Sequence, residues 1–344
     1  MAGLLTTQHF IDAYGERLRR ICSETHLDLE PLTLPADEQQ RLSAAELACI
    51  EVGCFTGNFE ADPGFTRRFL GSLLHAPNLR WLHLPNAGVD HPVFGRFLDR
   101  GVRLTTSSGA AAEPIAQSAV GGPLALARGF PRWWAAQRRH EWAPHPAPLT
   151  PSDLRGQTAV IVGVGAIGNE IARLARALGL YVVGVRRRPR TADDHVDELW
   201  PPASLSTLLP RADWLVLACP LTEETRGWIG AAMLERLPPA AHVINVARGQ
   251  LIDETALIEA LRKDRLAGAY LDVFAAEPLP GDSPLWDLPN VLISPHDAAA
   301  SSGNRARVSA LFLHNLERWA RHQPLENEVH RGSARTTFFK GGVG

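Results

Sequence analysis

The chain holds 344 residues, 45% of them apolar, with 35 Lys plus Arg against 37 Asp plus Glu. That is enough for two domains with real cores, and a net charge of −2 implies no nucleic-acid or acidic-surface partner. No uncharged apolar run reaches the length of a bilayer span, and Cys22, Cys49, Cys54 and Cys219 lack CxxC or zinc-ligand spacing, so reduced thiols in a cytoplasmic protein without a metal site are expected.

The first ten residues have no basic segment leading into a long apolar core and do not read as a secretory signal. Residues 1–112 read as a first α/β unit of low regularity. Cys49–Phe55, Leu79–Leu84 and Val102–Thr106 have the composition of strands, Asp62–Ala76 that of a helix and Asn86–His91 that of a turn. Small residues crowd positions 107–112, as in a hinge. Pro114 suits the first position of a helix, where its missing N–H costs nothing. Arg128–Pro151 is rich in Arg, Trp and Pro. Its aromatics either pack into a core or form an arm against a second subunit, since Arg and aromatic residues favour interfaces.

From Thr158 the pattern becomes regular. Strands at Thr158–Val162, Tyr181–Val185, Trp214–Ala218, His242–Val246, Gly268–Val273 and Val291–Ile293 alternate with helices. Ile167, Ile171, Leu174, Ala175 and Leu178 keep helical spacing, and Gly179 serves as the C-terminal cap. This alternation predicts a doubly wound parallel sheet. Ser301–Ala320 reads as one long helix that returns to the first unit and makes that domain discontinuous. Residues 331–344 read as a polar, Gly-rich tail.

Gly163-Val-Gly-Ala-Ile-Gly168 begins at the end of a strand and opens a helix, the context that turns a weak GxGxxG match into a dinucleotide site. Gly163 permits the tight turn, Gly165 lets the backbone approach a pyrophosphate, and Gly168 allows close helix–strand packing. The helix N-terminus adds free N–H groups and a favourable dipole. After the next strand, where an NAD-preferring protein carries an acidic residue, this chain has Arg186-Arg187-Arg188. Guanidinium forks bind a 2′-phosphate that a carboxylate would repel, so NADP(H) is expected over NAD(H). The alternative is a solvated charged loop in a chain whose only lysines are Lys263 and Lys340.

Three polar residues follow apolar strand runs later in the chain. Arg248 ends Ile-Asn-Val-Ala-Arg, Glu277 lies in Leu-Asp-Val-Phe-Ala-Ala-Glu-Pro, and His296 ends Ile-Ser-Pro-His. All three should emerge at strand carboxyl ends, where open α/β sheets bind ligands. A fixed cation can hold and polarise a 2-oxo acid. An imidazolium can protonate the carbonyl oxygen as hydride arrives, and a carboxylate can raise the imidazole pKa and select its tautomer.

With these motifs in view, the chain resembles the D-isomer-specific 2-hydroxyacid dehydrogenase family, nearest its NADP-type glyoxylate/hydroxypyruvate reductases. Cys219-Pro-Leu-Thr222, Asn245-Val-Ala-Arg-Gly249, Pro284-Leu-Trp286 and Ser294-Pro-His296 carry the match beside the motifs above, over roughly residues 80–320. The resemblance implies a Rossmann-type nucleotide domain (113–298) inserted into a smaller flavodoxin-like α/β substrate domain (1–112 plus 299–344). It implies Arg248 as the substrate-binding cation, His296 as the acid/base and Glu277 as its partner. Ala87, Gly88 and Val89 would offer backbone N–H groups to the substrate carboxylate. The cofactor would lie against Gly163, Gly165, Ala166, Ile167, Gly168, Arg186, Arg187, Arg188, Cys219, Pro220, Thr225, Val246, Ala247 and Asp272. Asp272 is either beside the nicotinamide or a strand-end carboxylate, and Cys219 reads as packing rather than nucleophile. The implied activity is hydride transfer between NADP(H) and a small 2-oxo acid or D-2-hydroxy acid. A dinucleotide-responsive binding protein or co-repressor of the same fold is the alternative. A homodimer built through the 128–151 arm is also implied. The Gly121-Gly122-Pro123 segment departs from the family pattern, and a proline there should kink its helix.

Overall fold

A computed structural model describes residues 2–57, 62–89, 91–146 and 150–329. The chain forms two compact units, one from Met1–Ala110 with Ser301–Gly344, the other from Ala111–Ala300. Among the described residues, no helix is long and apolar enough to cross a membrane.

The first unit is more regular than its sequence suggests. Strands β1 (Ala2–Leu5), β2 (Leu29–Leu32), β3 (Ile50–Cys54), β4 (Trp81–His83) and β5 (Arg103–Thr105) form a parallel sheet in the order β2-β1-β3-β4-β5. This is the flavodoxin-like order. Helices α1 (Gln8–Thr25), α2 (Ala44–Cys49), α3 (Pro63–His75) and α4 (Pro92–Asp99) connect the strands. The sequence reading found β3, β4, β5 and α3 but not β1, α1 and β2. Helix α1 does carry a signal: Thr7 caps it through Phe10 N–H, and Phe10, Leu18 and Ile21 bury one face. Strand β1 is too short for periodicity to register.

The late helix starts at Asn304 rather than Ser301 and runs to Ala320; we call it α11, numbering those of the second unit in between. It belongs to the first unit's core, with Phe312 and Trp319 stacked on Trp81 at 5.1 and 5.4 Å. The tail from 331, and 58–60 within the loop after β3, lie outside the described residues.

In the second unit, β6 (Thr158–Val162), β7 (Tyr181–Val185), β8 (Glu198–Trp200), β9 (Trp214–Leu217), β10 (His242–Asn245), β11 (Gly268–Leu271) and β12 (Val291–Ile293) form a parallel sheet. Its order is β12-β11-β10-β9-β6-β7-β8. Alternate residues bury into opposite faces: Val160 and Val162 join one core, Ala159 and Ile161 the other. Two buried faces explain why these strands read as continuous apolar runs. Edge strand β8 was missed because it is short and carries Glu198, which pairs with Arg211 at 2.7 Å. Helices α5 (Ala112–Ala127), α6 (Phe130–Arg138), α7 (Ala166–Ala177), α8 (Leu205–Leu208), α9 (Ala231–Leu234) and α10 (Glu254–Arg262) complete the unit. Gly179 (φ +89°) ends α7 as expected: its N–H reaches Arg176 O and Leu180 N–H reaches Ala175 O, a Schellman arrangement.

Within residues 114–142 one expectation needs correction: Pro114 is the third residue of α5, not its first; the first turn of a helix still has no intrahelical use for its N–H groups. Pro123 of the departing Gly121-Gly122-Pro123 segment lies inside α5, which continues to Ala127. Gly122 explains part of this departure, since a Cβ there would fall 2.4 Å from Tyr270 Cγ on β11. The aromatic cluster does not pack into the unit's core: Trp134 is 49% and Trp142 97% exposed.

Candidate active site

Strands β6 and β9 are neighbours although β7 and β8 intervene in sequence, so the strand order reverses there. A crevice at such a switch point is where doubly wound sheets bind ligands. The Gly-rich loop leaves β6 at this place. Gly163 has φ +99°, and a Cβ on it would lie 2.5 Å from Cys219 N, so only glycine fits. Gly168 is held as closely, with Gly163 O 2.0 Å from where its Cβ would be. At Gly165, by contrast, a Cβ would meet nothing within 4 Å, and this residue caps α7 without a side-chain bond. An open approach to unbonded helix N–H groups, with Ala166 and Ile167 forming the first turn, fits a dinucleotide pyrophosphate.

Beyond β7 the three arginines differ. The Arg186 guanidinium makes a two-pronged pair with Asp194 (2.8 and 2.6 Å) and donates to Val164 O at 3.0 Å and to Arg188 O and Pro189 O. Asp194 also accepts Thr191 N–H at 2.7 Å, and these bonds, with Arg186 first, hold its carboxyl below the ordinary range. Arg186 therefore ties its own loop to the Gly-rich loop rather than standing open to a phosphate. Arg187 and Arg188 are exposed. Sequence alone could not separate them, because the distinction depends on Asp194, eight residues away.

The loop after β9 holds Cys219, Pro220 and Thr225. The Thr225 hydroxyl donates to Pro220 O at 2.9 Å and accepts Thr222 N–H at 2.7 Å, closing the turn. Burial pushes the Cys219 thiol up to about 11, which supports packing rather than nucleophilic attack. Val246 and Ala247 are buried just beyond β10.

Arg248, Glu277 and His296 all emerge from the carboxyl edge, after β10, β11 and β12. His296 Nδ1 lies 2.7 Å from Glu277 Oε2, and Glu277 Oε1 accepts Phe274 N–H at 2.9 Å. The Arg248 charge acts on both partners, and its guanidinium donates to Ala247 O at 2.7 Å. His296 sits in the left-handed region (φ 54°), its N–H bonded to Asp272 O at 2.8 Å. Such backbone in a non-glycine residue persists only where its surroundings over-determine it.

Asp272 is what over-determines it. Its buried Oδ1 accepts Ser294 Oγ (2.6 Å), Asp297 N–H (2.9 Å) and Ala298 N–H (3.0 Å). Tyr270 OH meets the same Ser294 hydroxyl at 2.8 Å. The strand-end role of Asp272 is thus visible, and Tyr270 and Ser294 join it as residues that sequence reasoning passed over.

The electrostatics separate His296, whose side chain is 38% exposed, from two histidines set deeper in the fold. Burial drives His83 to about 3 and His242 to about 4. His296 moves upward instead, because the Glu277 hydrogen bond outweighs burial and the Arg248 charge. For Glu277, burial pulls upward, but the bonds from His296 and Phe274 and the charges of His296 and Arg248 together lower its pKa. Both shifts favour the carboxylate–imidazolium form of the pair.

Ala87, Gly88 and Val89 lie in the first unit, on the segment leaving the carboxyl end of β4. Ser107 N–H donates to Asn86 O at 3.0 Å beside them.

The chain is similar to several known proteins. Residues 120–298 match the family described as D-isomer specific 2-hydroxyacid dehydrogenase, NAD binding domain. A glyoxylate reductase of Korarchaeum cryptofilum is 35% identical over 261 residues, 74% of this chain and 77% of that protein. A glyoxylate/hydroxypyruvate reductase B of Pectobacterium atrosepticum is 34% identical over 322 residues, 93% and 95% of the two chains. Among solved structures, an NADPH-dependent glyoxylate/hydroxypyruvate reductase of Sinorhizobium meliloti, in complex with NADP and sulfate, has 28% identity and a TM-score of 0.73, covering 97% of this chain and 100% of that one. A D-isomer specific 2-hydroxyacid dehydrogenase of Xanthobacter autotrophicus, in complex with NADPH and MES, has 29% identity and a TM-score of 0.72, with 96% and 98% covered.

Proposed function

The chain belongs to the D-isomer-specific 2-hydroxyacid dehydrogenase family of nicotinamide-dependent oxidoreductases, and on that premise we propose that it reduces a small 2-oxo acid such as glyoxylate or hydroxypyruvate with NADPH. The observation that carries the site assignment is the 2.7 Å bond between His296 and Glu277 beside the Arg248 charge. The bound reduced nicotinamide supplies the hydride. Arg248 holds the carboxylate and polarises the carbonyl, because a guanidinium stays charged and offers planar donors. Nδ1 of His296 is engaged by Glu277, so Nε2 is the nitrogen that delivers a proton to the carbonyl oxygen, and Glu277 stabilises the protonated ring before transfer. Gly163 and Gly168 shape the loop that would present Gly165, Ala166 and Ile167 to the pyrophosphate, and Cys219, Pro220, Thr225, Val246 and Ala247 would line the cofactor.

Preference for NADP(H) is supported by the exposed Arg187 and Arg188 at the ribose end of the site. A homodimer is supported by the exposed aromatics of the 128–151 segment, Trp142 above all. The free thiols support residence in the reducing cytoplasm. The test is a panel of 2-oxo acids assayed with NADPH and NADH by the loss of reduced-nicotinamide absorbance. Turnover of glyoxylate or hydroxypyruvate, faster with NADPH, is expected. No turnover of any 2-oxo acid with either cofactor would refute the reading.

A further inference from the structure

Glu277 stands on a loop whose middle is gripped from a neighbouring element. Ala275 N–H donates to Glu254 Oε2 at 3.0 Å, and Ala275 O accepts Gln250 Nε2 at 3.0 Å. Just ahead of Gln250 the chain is flush against the Phe274–Ala275 peptide: a Cβ on Gly249 would fall 1.9 Å from Phe274 C and 2.5 Å from Ala275 N. Glu254 opens α10 directly after its cap, Asp253, whose side chain accepts Ala256 N–H at 3.1 Å. The next contacts along the loop are Phe274 N–H to Glu277 and Glu277 to His296. A continuous line of bonds therefore joins the segment carrying Arg248 to the imidazole.

Ala275 and both of these bonds lie at the exposed surface. An exposed side-chain bond adds little stability and orders a long side chain. Two such bonds on the peptide groups flanking one residue, one from the 3-10 turn Gly249–Leu251 and one from the first residue of α10, restrict where the loop stands.

We propose that Glu254 and Gln250 are positioning residues for the proton-transfer pair: they clamp the two peptide groups flanking Ala275 and so fix Glu277, and through it His296, relative to Arg248. The inference rests on the reading of Glu277 and His296 given above. The charged groups that bear on the imidazole are Glu277, Arg248 and Asp272; Glu254 acts through the Ala275 peptide.

The experiment compares Glu254→Ala, Glu254→Gln and Gln250→Ala with the parent enzyme and with His296→Gln, using NADPH and glyoxylate across a pH series, with melting temperatures alongside. Glu254→Ala should lower kcat by about ten- to a hundredfold, the scale of a misplaced catalytic group, with a smaller change in KM. The alkaline fall of its reduction rate should move to lower pH, because a loosened Glu277 holds the imidazolium less well. Glu254→Gln keeps an acceptor for Ala275 N–H and should recover most of the rate. Gln250→Ala should reproduce the defect from the carbonyl side, and carries the test should Glu254→Ala not fold. An unchanged kcat and pH limit in the alanine variants, or a glutamine variant as impaired as Glu254→Ala, would overturn the clamp while an inactive His296→Gln upheld the acid–base pair. Full turnover in His296→Gln would overturn both.

Discussion

At the scale of single residues, His296 shifts in the opposite direction from His83 and His242. The Glu277 bond raises the His296 pKa, so the imidazolium persists to higher pH than in a free histidine. Ketone reduction needs that proton, and its kcat/KM should fall as pH rises through the raised pKa; alcohol oxidation should rise over the same interval. In Glu277→Gln the raising contact is lost, and the fall should begin at lower pH. Rate–pH profiles in both directions check this, and identical profiles would contradict it. His296→Gln should lose about 10²–10⁴-fold in kcat, the usual worth of a positioned acid. The arginines give a second test. Replacing Arg187 and Arg188 together with Ala removes charge-assisted bonds worth about 1.5–3 kcal/mol, or roughly ten- to a hundredfold in the KM for NADPH, and should leave NADH nearly unaffected. Arg186→Ala breaks the tie between two loops and should weaken both cofactors alike.

Among the elements, α5 shows how one glycine differs from its neighbour. Gly121 faces open space, whereas a Cβ at Gly122 would overlap the Tyr270 ring. Gly121→Ala should therefore stabilise the protein by about 0.5–1 kcal/mol through helix propensity and a less flexible unfolded chain. Gly122→Ala gains the same propensity but meets an overpacking penalty of about 1–3 kcal/mol. The 2.4 Å approach is to a ring atom rather than to the end of a flexible side chain, so the penalty wins and stability should fall. Denaturant midpoints of the two variants measure the signs; the same sign in both would refute this packing account.

For the whole molecule, assembly and ligand linkage are the measurable quantities. The exposed Phe130, Trp133, Trp134 and Trp142 should be covered in a dimer, and light scattering should return twice the chain mass of 37.5 kDa. A monomer at micromolar concentration would contradict the arm. Cofactor that binds only the folded protein adds about 2.7 kcal/mol at a hundredfold excess over Kd. NADPH should accordingly raise the melting temperature more than NADH at equal concentration.

The fold class and the second unit were legible in the sequence because both have short-range signatures. Strands buried on both faces are continuous apolar runs, and a turn as tight as the one at Gly163 tolerates only glycine. The residues of the His296–Glu277 pair were legible as types in motifs, but their 2.7 Å meeting was not, since hydrogen bonding across separate loops has no sequence period. The first unit stayed obscure for a related reason: β1 and β2 are four residues each, and a helix from the far end of the chain completes their core. Local pattern thus determined which elements form and which chemistry the chain carries. Tertiary structure alone decided that Arg186 belongs to Asp194, that Asp272 braces the histidine loop, and that Gln250 and Glu254 grip the loop at Ala275 before Glu277, because each depends on side chains brought together across chain distance.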